Sequence, residues 1–200
     1  MQSETAKKLS LIILAFAFVA FIYVTAKAMQ ISNRTQISTD DGIYTNRVKS
    51  SSDISNKAFK LTKDCKSEVC QVTRLLDYVT YIPYKINHFK AHSPQQTIQN
   101  DYGDCDDKSN LLISMLHALG IEAYFVLVPK HIFVIVPLSD KRLSQQKGLW
   151  IDEKKYFILE STAKGSSIGY PLHYELSQIN TIVDPFSNKK IEYEQLEYKL

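Results

Sequence analysis

The sequence predicts an α+β fold, with helices first, an antiparallel β-sheet after them, and a single apolar helix ahead of both. Three observations lead there. Apolar residues recur at helical spacing between Glu68 and Pro83 and again after Asp104; β-rich apolar runs, "EAYFVLV", "HIFVIVPL" and "YFILE", crowd the later part; and the run Leu9–Val24 carries no charge.

The N-terminal run, "LSLIILAFAFVAFIYV", reaches with Thr25 and Ala26 the roughly 18 residues needed to span a bilayer. It has no polar face to show to water, which argues against a buried helix of a soluble protein. Lys7 and Lys8 on its N-terminal flank favour leaving that end in the cytoplasm, so the rest of the chain is expected outside it. A retained anchor is the preferred reading, because the run exceeds a usual signal core and holds bulky Phe and Tyr. The alternative is a secreted protein released by signal-peptide cleavage, since Ala26-Lys27-Ala28 has the small-x-small form of a cleavage site. The chain thus divides into residues 1–28 (stub and membrane or signal segment), a polar stretch 29–56 that reads as a tether or irregular arm, and a globular part 57–200.

In the globular part, Val69, Val72, Leu75, Leu76, Val79 and Ile82 line one side of a helix that Pro83 ends. Residues 84–102 read as a loop with at most a short helical turn. Asp104 then has the acceptor side chain of an N-cap, Asp106 and Asp107 put negative charge in the first turn, and Leu112, Met115, Leu116 and Leu119 keep helical spacing until Gly120. "EAYFVLV" and "HIFVIVPL" are strands joined at Pro129-Lys130, and "LWIDEKKYFILEST" gives two more around Glu153-Lys154.

Composition excludes some functions. With 200 residues, 44% hydrophobic, 6 Gly and 6 Pro, the chain can build one core plus an appendage. A net charge of +3 with scattered basic residues does not point to nucleic acid. Of the 3 cysteines, Cys65 and Cys70 flank "KSEV" and are expected to form a local disulfide in an oxidising compartment, leaving Cys105 as the free thiol. No metal site is expected: there is no second cysteine pair, and His88 with His92 offers too few ligands.

Cys105 is the first helical residue after its cap. Unpaired N–H groups and the helix dipole favour a thiolate there, while the neighbouring aspartates oppose it; Ser109 is its neighbour on the same face. A reactive thiol needs an imidazole to take its proton and a third group to orient that ring. His131 opens one strand and Glu160 closes another. If those strands are adjacent, the two side chains come within hydrogen-bond reach, and a helix packed on the sheet delivers Cys105 to them. Taken singly, His131 reads as a turn residue and Glu160 as a surface charge. His117 reads as a helix-surface residue, His173 as a weaker base, and Asp152, at a turn, as the rival acid.

The set in this order, "GDCDDKSNLLISMLHALGIEAYFVLV", "HIFVIV" and "YFILEST", resembles the Cys, His and acid blocks of the transglutaminase-like superfamily of papain-fold cysteine enzymes. Upstream, "LLDYVTYIPYK" and "SPQQTIQNDYGDC" resemble the helix and lead-in loop of bacterial and archaeal members. The resemblance covers roughly residues 69–170. One departure is Glu160, where the superfamily most often has aspartate. The resemblance implies a papain-like core with a Cys105–His131–Glu160 triad, an acyl-transfer reaction on an amide of a protein or peptide substrate, and a thioester intermediate. It implies no cofactor. Tyr102, Gln99 and Gln96 are candidates for an oxyanion donor beside the backbone N–H of Cys105. The expected protein is a membrane-anchored, extracytoplasmic cysteine protease or amidohydrolase. The alternatives are a crosslinking transglutaminase and a catalytically silent module that binds a peptide or partner protein at the membrane surface.

Overall fold

In the computed structural model the described residues are 2–39, 42–87 and 91–200. His88 lies outside them. By contacts the chain forms two compact units, 1–36 and 37–200.

The first unit is the helix α1 (Gln2–Thr35). Its stretch Ala6–Met29, 24 residues, is long and apolar enough to cross a membrane. At 1.5 Å per residue it spans about 36 Å, more than the ≈ 30 Å hydrocarbon core. Its Leu, Ile, Phe and Val side chains from Leu9 to Val24 are exposed, as a segment made for lipid or for removal requires.

The second unit begins with a short strand pair, β1 (Gln36–Thr39) and β2 (Gly42–Thr45). Helices α2 (Ser52–Thr62), α3 (Glu68–Tyr81), α4 (Pro94–Asn100) and α5 (Cys105–Ala118) follow. Each starts on a side chain that accepts an orphan N–H of the first turn: Ser51 from Ile54, Ser67 from Cys70, Ser93 from Gln96 and Asp104 from Asp107. Such a cap contributes about 1 kcal/mol. The helix ends are equally local in cause. Pro83 holds Ile82 at ψ 127, which stops α3. Gly120, at φ 76, lets Ile121 N–H reach back to the Leu116 carbonyl and closes α5.

The sheet has seven strands in the order β8-β7-β3-β4-β6-β5-β9, and the paired neighbours run antiparallel. They are β3 (Tyr124–Val128), β4 (His131–Val136), β5 (Gly148–Ile151), β6 (Lys154–Leu159), β7 (Thr181–Asp184), β8 (Lys189–Lys190) and β9 (Leu196–Lys199). β3 and β4 form a hairpin turned at Lys130 (φ 59), and β5 and β6 one turned at Asp152 (φ 53). The central strands are buried on both faces, which is why they read as unbroken apolar runs rather than alternating ones. Ile132, Val134 and Val136 pack with the helices, around Leu112, Met115 and Leu75. Phe133, Ile135 and Ile158 face the other way and are covered by Tyr170, Leu172, Tyr174 and Tyr198 from the C-terminal segment.

Parts of the polar stretch read from sequence as a tether or irregular arm, 29–56, take definite positions. Its first residues to Thr35 complete α1, and residues 45–49 run beside α5 as an arm. The side chains that hold this arm lie on a distant helix, so no local periodicity announces it.

Two features fasten the helical layer. The Lys108 side chain is fully buried, and its ammonium donates to the Thr80 carbonyl at 3.3 Å and the Ile82 carbonyl at 2.8 Å, so α5 caps the end of α3. Cys65 and Cys70 form a disulfide across a sequence separation of 5, tying the α2–α3 turn to the start of α3.

Two stability predictions follow from these contacts. Lys108→Ala leaves both carbonyls unpaired beside a cavity and is expected to lower unfolding free energy by about 2–5 kcal/mol in urea titration. Cys65→Ser with Cys70→Ser is expected to cost only about 2 kcal/mol, because the loop it opens is short; calorimetry of the oxidised and double-serine proteins measures the difference.

Candidate active site

The site forms where the N-terminus of α5 meets the start of β4 and the end of β6. Gly103 precedes the cap, and a Cβ there would sit 2.7 Å from Asp107 Cβ. The lead-in chain therefore comes close enough for Gly103 to pair with Tyr84 in a parallel bridge, its N–H donating to the Pro83 carbonyl at 3.1 Å. Asp104 and Asp107 hold Asn87 and His92 of that loop. Asp104 Oδ2 accepts the Asn87 N–H at 3.1 Å, and Asp107 Oδ1 accepts the His92 N–H at 2.5 Å, with His92 Nδ1 3.1 Å from Asp107 Oδ2.

The hydrogen-bonded register Val134↔Leu159, continued by one residue, sets Glu160 opposite Phe133 and thus diagonal to His131 on the same face. His131 Nε2 lies 2.8 Å from Glu160 Oε2. The other carboxylate oxygen, Oε1, accepts from the Thr162 N–H at 2.9 Å and the Thr162 hydroxyl at 2.6 Å. The Glu160 carbonyl accepts from the Ser166 hydroxyl at 2.6 Å. The carboxylate is thus oriented before it orients the ring. Although burial alone would raise it, the hydrogen bond and charge of His131, followed by Thr162, hold the Glu160 carboxyl below its ordinary value. The ring nitrogen left available is Nδ1.

Cys105 is the free cysteine and is partly buried. Ser109, one turn further on the same face, locks the helix to the sheet: its hydroxyl lies 3.1 Å from the Ser161 hydroxyl and 3.5 Å from the Ile132 carbonyl. This one contact joins the cysteine helix to the residue after His131 and the residue after Glu160. Burial first, then the charges of Asp106 and Asp104, push the Cys105 thiol up to about 12, against the pull of the Asp106 and Ile132 backbone N–H groups. The thiol therefore rests protonated. No hydrogen bond joins it to His131; Sγ has its contact with Asp106 Oδ1, at 3.8 Å.

The site is flanked by tyrosines that sequence alone does not single out. Tyr174 stacks parallel to the His131 ring, centroids 6.4 Å apart at 17°. Burial first, then nearby negative groups with Glu160 among them, raise the hydroxyls of Tyr84, just after α3, and of Tyr174, in the loop after β6.

Of the candidate oxyanion donors, Tyr102 is engaged by the His92 ring edge-on at 5.2 Å and by Lys85 Nζ 4.6 Å above its face. The Gln96 side chain accepts the Ser93 N–H at 2.9 Å in the cap of α4, and Gln99 is exposed on that helix. Asp152 Oδ1 accepts the Glu194 and Gln195 N–H groups at 2.9 and 3.1 Å, so it fastens the approach to β9 and has no bond to His131. His117 packs its ring on Phe186, and His173 packs its ring on Tyr170.

A model of the transglutaminase-like superfamily matches residues 55–136. The match covers less than half of the chain. It runs from α2 through β4, taking in Cys105 and His131 and ending before Glu160. No curated protein matches the chain. Among solved structures, it is similar to a candidate protease from Parabacteroides distasonis ATCC 8503, with 18% identity over 74% of this chain and 29% of that one, at a TM-score of 0.47. It is also similar to a candidate cysteine protease from Cytophaga hutchinsonii, with 14% identity over 78% of this chain and 52% of the other, at 0.46. The chain thus spans under a third and about a half of those two proteins.

Because the folded state depresses the Glu160 carboxyl, its ionised form stabilises the fold. That contribution is complete above the ordinary carboxyl value and is lost as pH falls through the depressed one. Glu160→Gln is therefore expected to be less stable than wild type at pH 7, with the gap narrowing below about pH 4; urea midpoints at both pH values measure it.

Proposed function

We propose that the protein is a cysteine-dependent amide hydrolase in which Cys105 is the nucleophile, His131 the general base and acid, and Glu160 the acid that orients His131. The carrying observation is the 2.8 Å bond from His131 Nε2 to a carboxylate already held by Thr162, which leaves Nδ1 for the thiol at the helix start. The substrate is an amide of a protein or peptide.

The chemistry proceeds in balanced steps. His131 Nδ1 takes the Cys105 proton as Sγ attacks the carbonyl carbon of the amide. The C–N bond then breaks, the imidazolium gives its proton to the departing amine, and a thioester remains. Water, deprotonated by His131, attacks the thioester, and the acid and the free thiol are released. With the thiol held near 12, proton transfer accompanies attack rather than preceding it as a standing thiolate–imidazolium pair. Glu160 stabilises the imidazolium and fixes which nitrogen faces Cys105. The Cys65–Cys70 disulfide and the apolar α1 support an extracytoplasmic location, with α1 retained as an anchor.

A second reading is a silent module that binds a peptide at the membrane surface. The protonated resting thiol and the missing Cys105–His131 hydrogen bond favour it. Thiol labelling separates the two: the hydrolase reading expects His131→Ala to slow alkylation of Cys105 at neutral pH, and the silent module expects no change.

Cys105→Ala is expected to abolish turnover with little effect on folding, and to leave substrates uncleaved in cells carrying it, where quantitative proteomics identifies them. Retained activity overturns the proposal. Glu160→Gln is expected to lower kcat by about 10²–10⁴-fold, Glu160→Asp to keep partial activity well above that, and Asp152→Asn to remain near wild type. The reverse ranking would mean that the acid is misassigned.

A further inference from the structure

The arm that joins α1 to the rest of the chain is attached to α5 in a regular way. Asp106 Oδ2 accepts the Thr45 N–H at 3.3 Å, Asn110 Oδ1 the Arg47 N–H at 2.6 Å, and the Ser114 hydroxyl oxygen the Lys49 N–H at 3.0 Å. Asn110 Nδ2 returns a bond to the Thr45 carbonyl at 2.9 Å. The acceptors stand four residues apart on the helix, about 6 Å of rise. The donors stand two residues apart on the arm, about 6.6–6.8 Å when a chain is extended. The two repeats keep step, so one helix face reads alternate N–H groups of the arm. The first rung is Asp106, and its other oxygen, Oδ1, lies 3.8 Å from Cys105 Sγ.

We infer that Asp106 is a positioning residue that couples the arm to the thiol: with residues 45–49 docked, it holds Cys105 protonated, and release of the arm frees the thiol to act as a nucleophile. The direction follows from charge and burial. The Thr45 N–H stabilises Asp106 as a carboxylate, and a carboxylate facing Sγ opposes a second negative charge. The docked arm also shields this corner from water, which disfavours the thiolate further. Release weakens both effects in the same sense. Burial raises Asp106 to about 7 despite Thr45, so its charge, and its opposition to the thiolate, is present above that pH and absent well below it. The other ionisable groups around the thiol are Asp104 in the cap, Asp107 in the same turn, Tyr84 from the lead-in loop, His131 with Glu160 from the sheet, and Tyr174 from the loop after β6. The substitutions below leave each of these in place.

The inference rests on Cys105 being the nucleophile, but its readout needs no substrate. The full chain in detergent, with Cys65 and Cys70 oxidised, is alkylated with iodoacetamide from pH 6 to 9.5, and modification of Cys105 is followed by mass spectrometry. Asp106→Asn keeps an acceptor for Thr45 and removes the charge; it is expected to raise the rate about tenfold above pH 7 and to leave it near wild type at pH 6. Asn110→Leu removes the central rung, so trypsin is expected to cut after Arg47 and Lys49 faster, and alkylation to rise at least severalfold. Ser114→Ala, which removes only the last rung, gives a smaller rise in both and serves if Asn110→Leu does not fold. An unchanged rate profile in Asp106→Asn, or an arm cut faster with wild-type alkylation, overturns the inference. A chain that hydrolyses no amide yet shows these shifts would overturn the hydrolase proposal and leave this one standing.

Discussion

The constraint that organises the second unit is that α5 is buried along nearly its whole length while carrying polar side chains. Residues Asp107 to Leu116 are all buried, and among them Asp107, Lys108, Ser109, Asn110 and Ser114 cannot be left without partners at a cost of about 1–3 kcal/mol each. Their partners lie on four different pieces of chain. Asp107 takes the lead-in loop through His92, Lys108 the end of α3, Ser109 the sheet through Ile132 and Ser161, and Asn110 with Ser114 the arm. An apolar helix would satisfy the same core volume but would not specify where these segments lie. The helix that presents Cys105 is therefore also the jig on which the surrounding loops are set.

Much of this was legible in the chain itself, and the parts that were not share a cause. α3, α5 and the β3–β4 hairpin rest on local periodicity and on punctuation by Pro83, Gly120 and Pro129-Lys130, so the reading places them closely. His131 and Glu160 could be expected as neighbours because each stands at a strand end, and β4 and β6 pair directly in the sheet. Lys108 was not, since a lysine in a helix normally signals the solvent face and only the tertiary fold shows that its ammonium replaces the missing N–H donors of α3. The arm and the C-terminal cover of the sheet depend on contacts between distant segments: Thr45 lies 61 residues from Asp106, and β9 reaches β5 across the whole C-terminal segment. The spacing Ser93-x-x-Gln96 is itself a capping-box signature, and it accounts for the Gln96 side chain that the resemblance had offered as an oxyanion candidate.

The electrostatics around α5 run against the usual expectation for a helix start. The dipole and the free N–H groups favour negative charge, and three carboxylates that flank the thiol, Asp104, Asp106 and Asp107, use that favour before it can. Asp104 and Asp107 spend their charge on backbone N–H groups of the loop. Only Asp106 faces the sulfur. The helix end thus serves first as an anchor for the chain that approaches the site.

The disulfide has a consequence for the order in which the chain matures. Cys65 and Cys70 are separated by 5 residues and both precede Cys105. In the proposed extracytoplasmic topology, export from the N-terminal end brings them out of the membrane together while Cys105 still lies some thirty-five residues behind, about 120 Å of extended chain. A partner so near along the chain meets its mate at a high effective concentration, and closing a short loop costs little entropy. In that topology the pair is expected to oxidise before the third thiol arrives, so that timing, rather than distance in the finished fold, keeps Cys105 from mispairing.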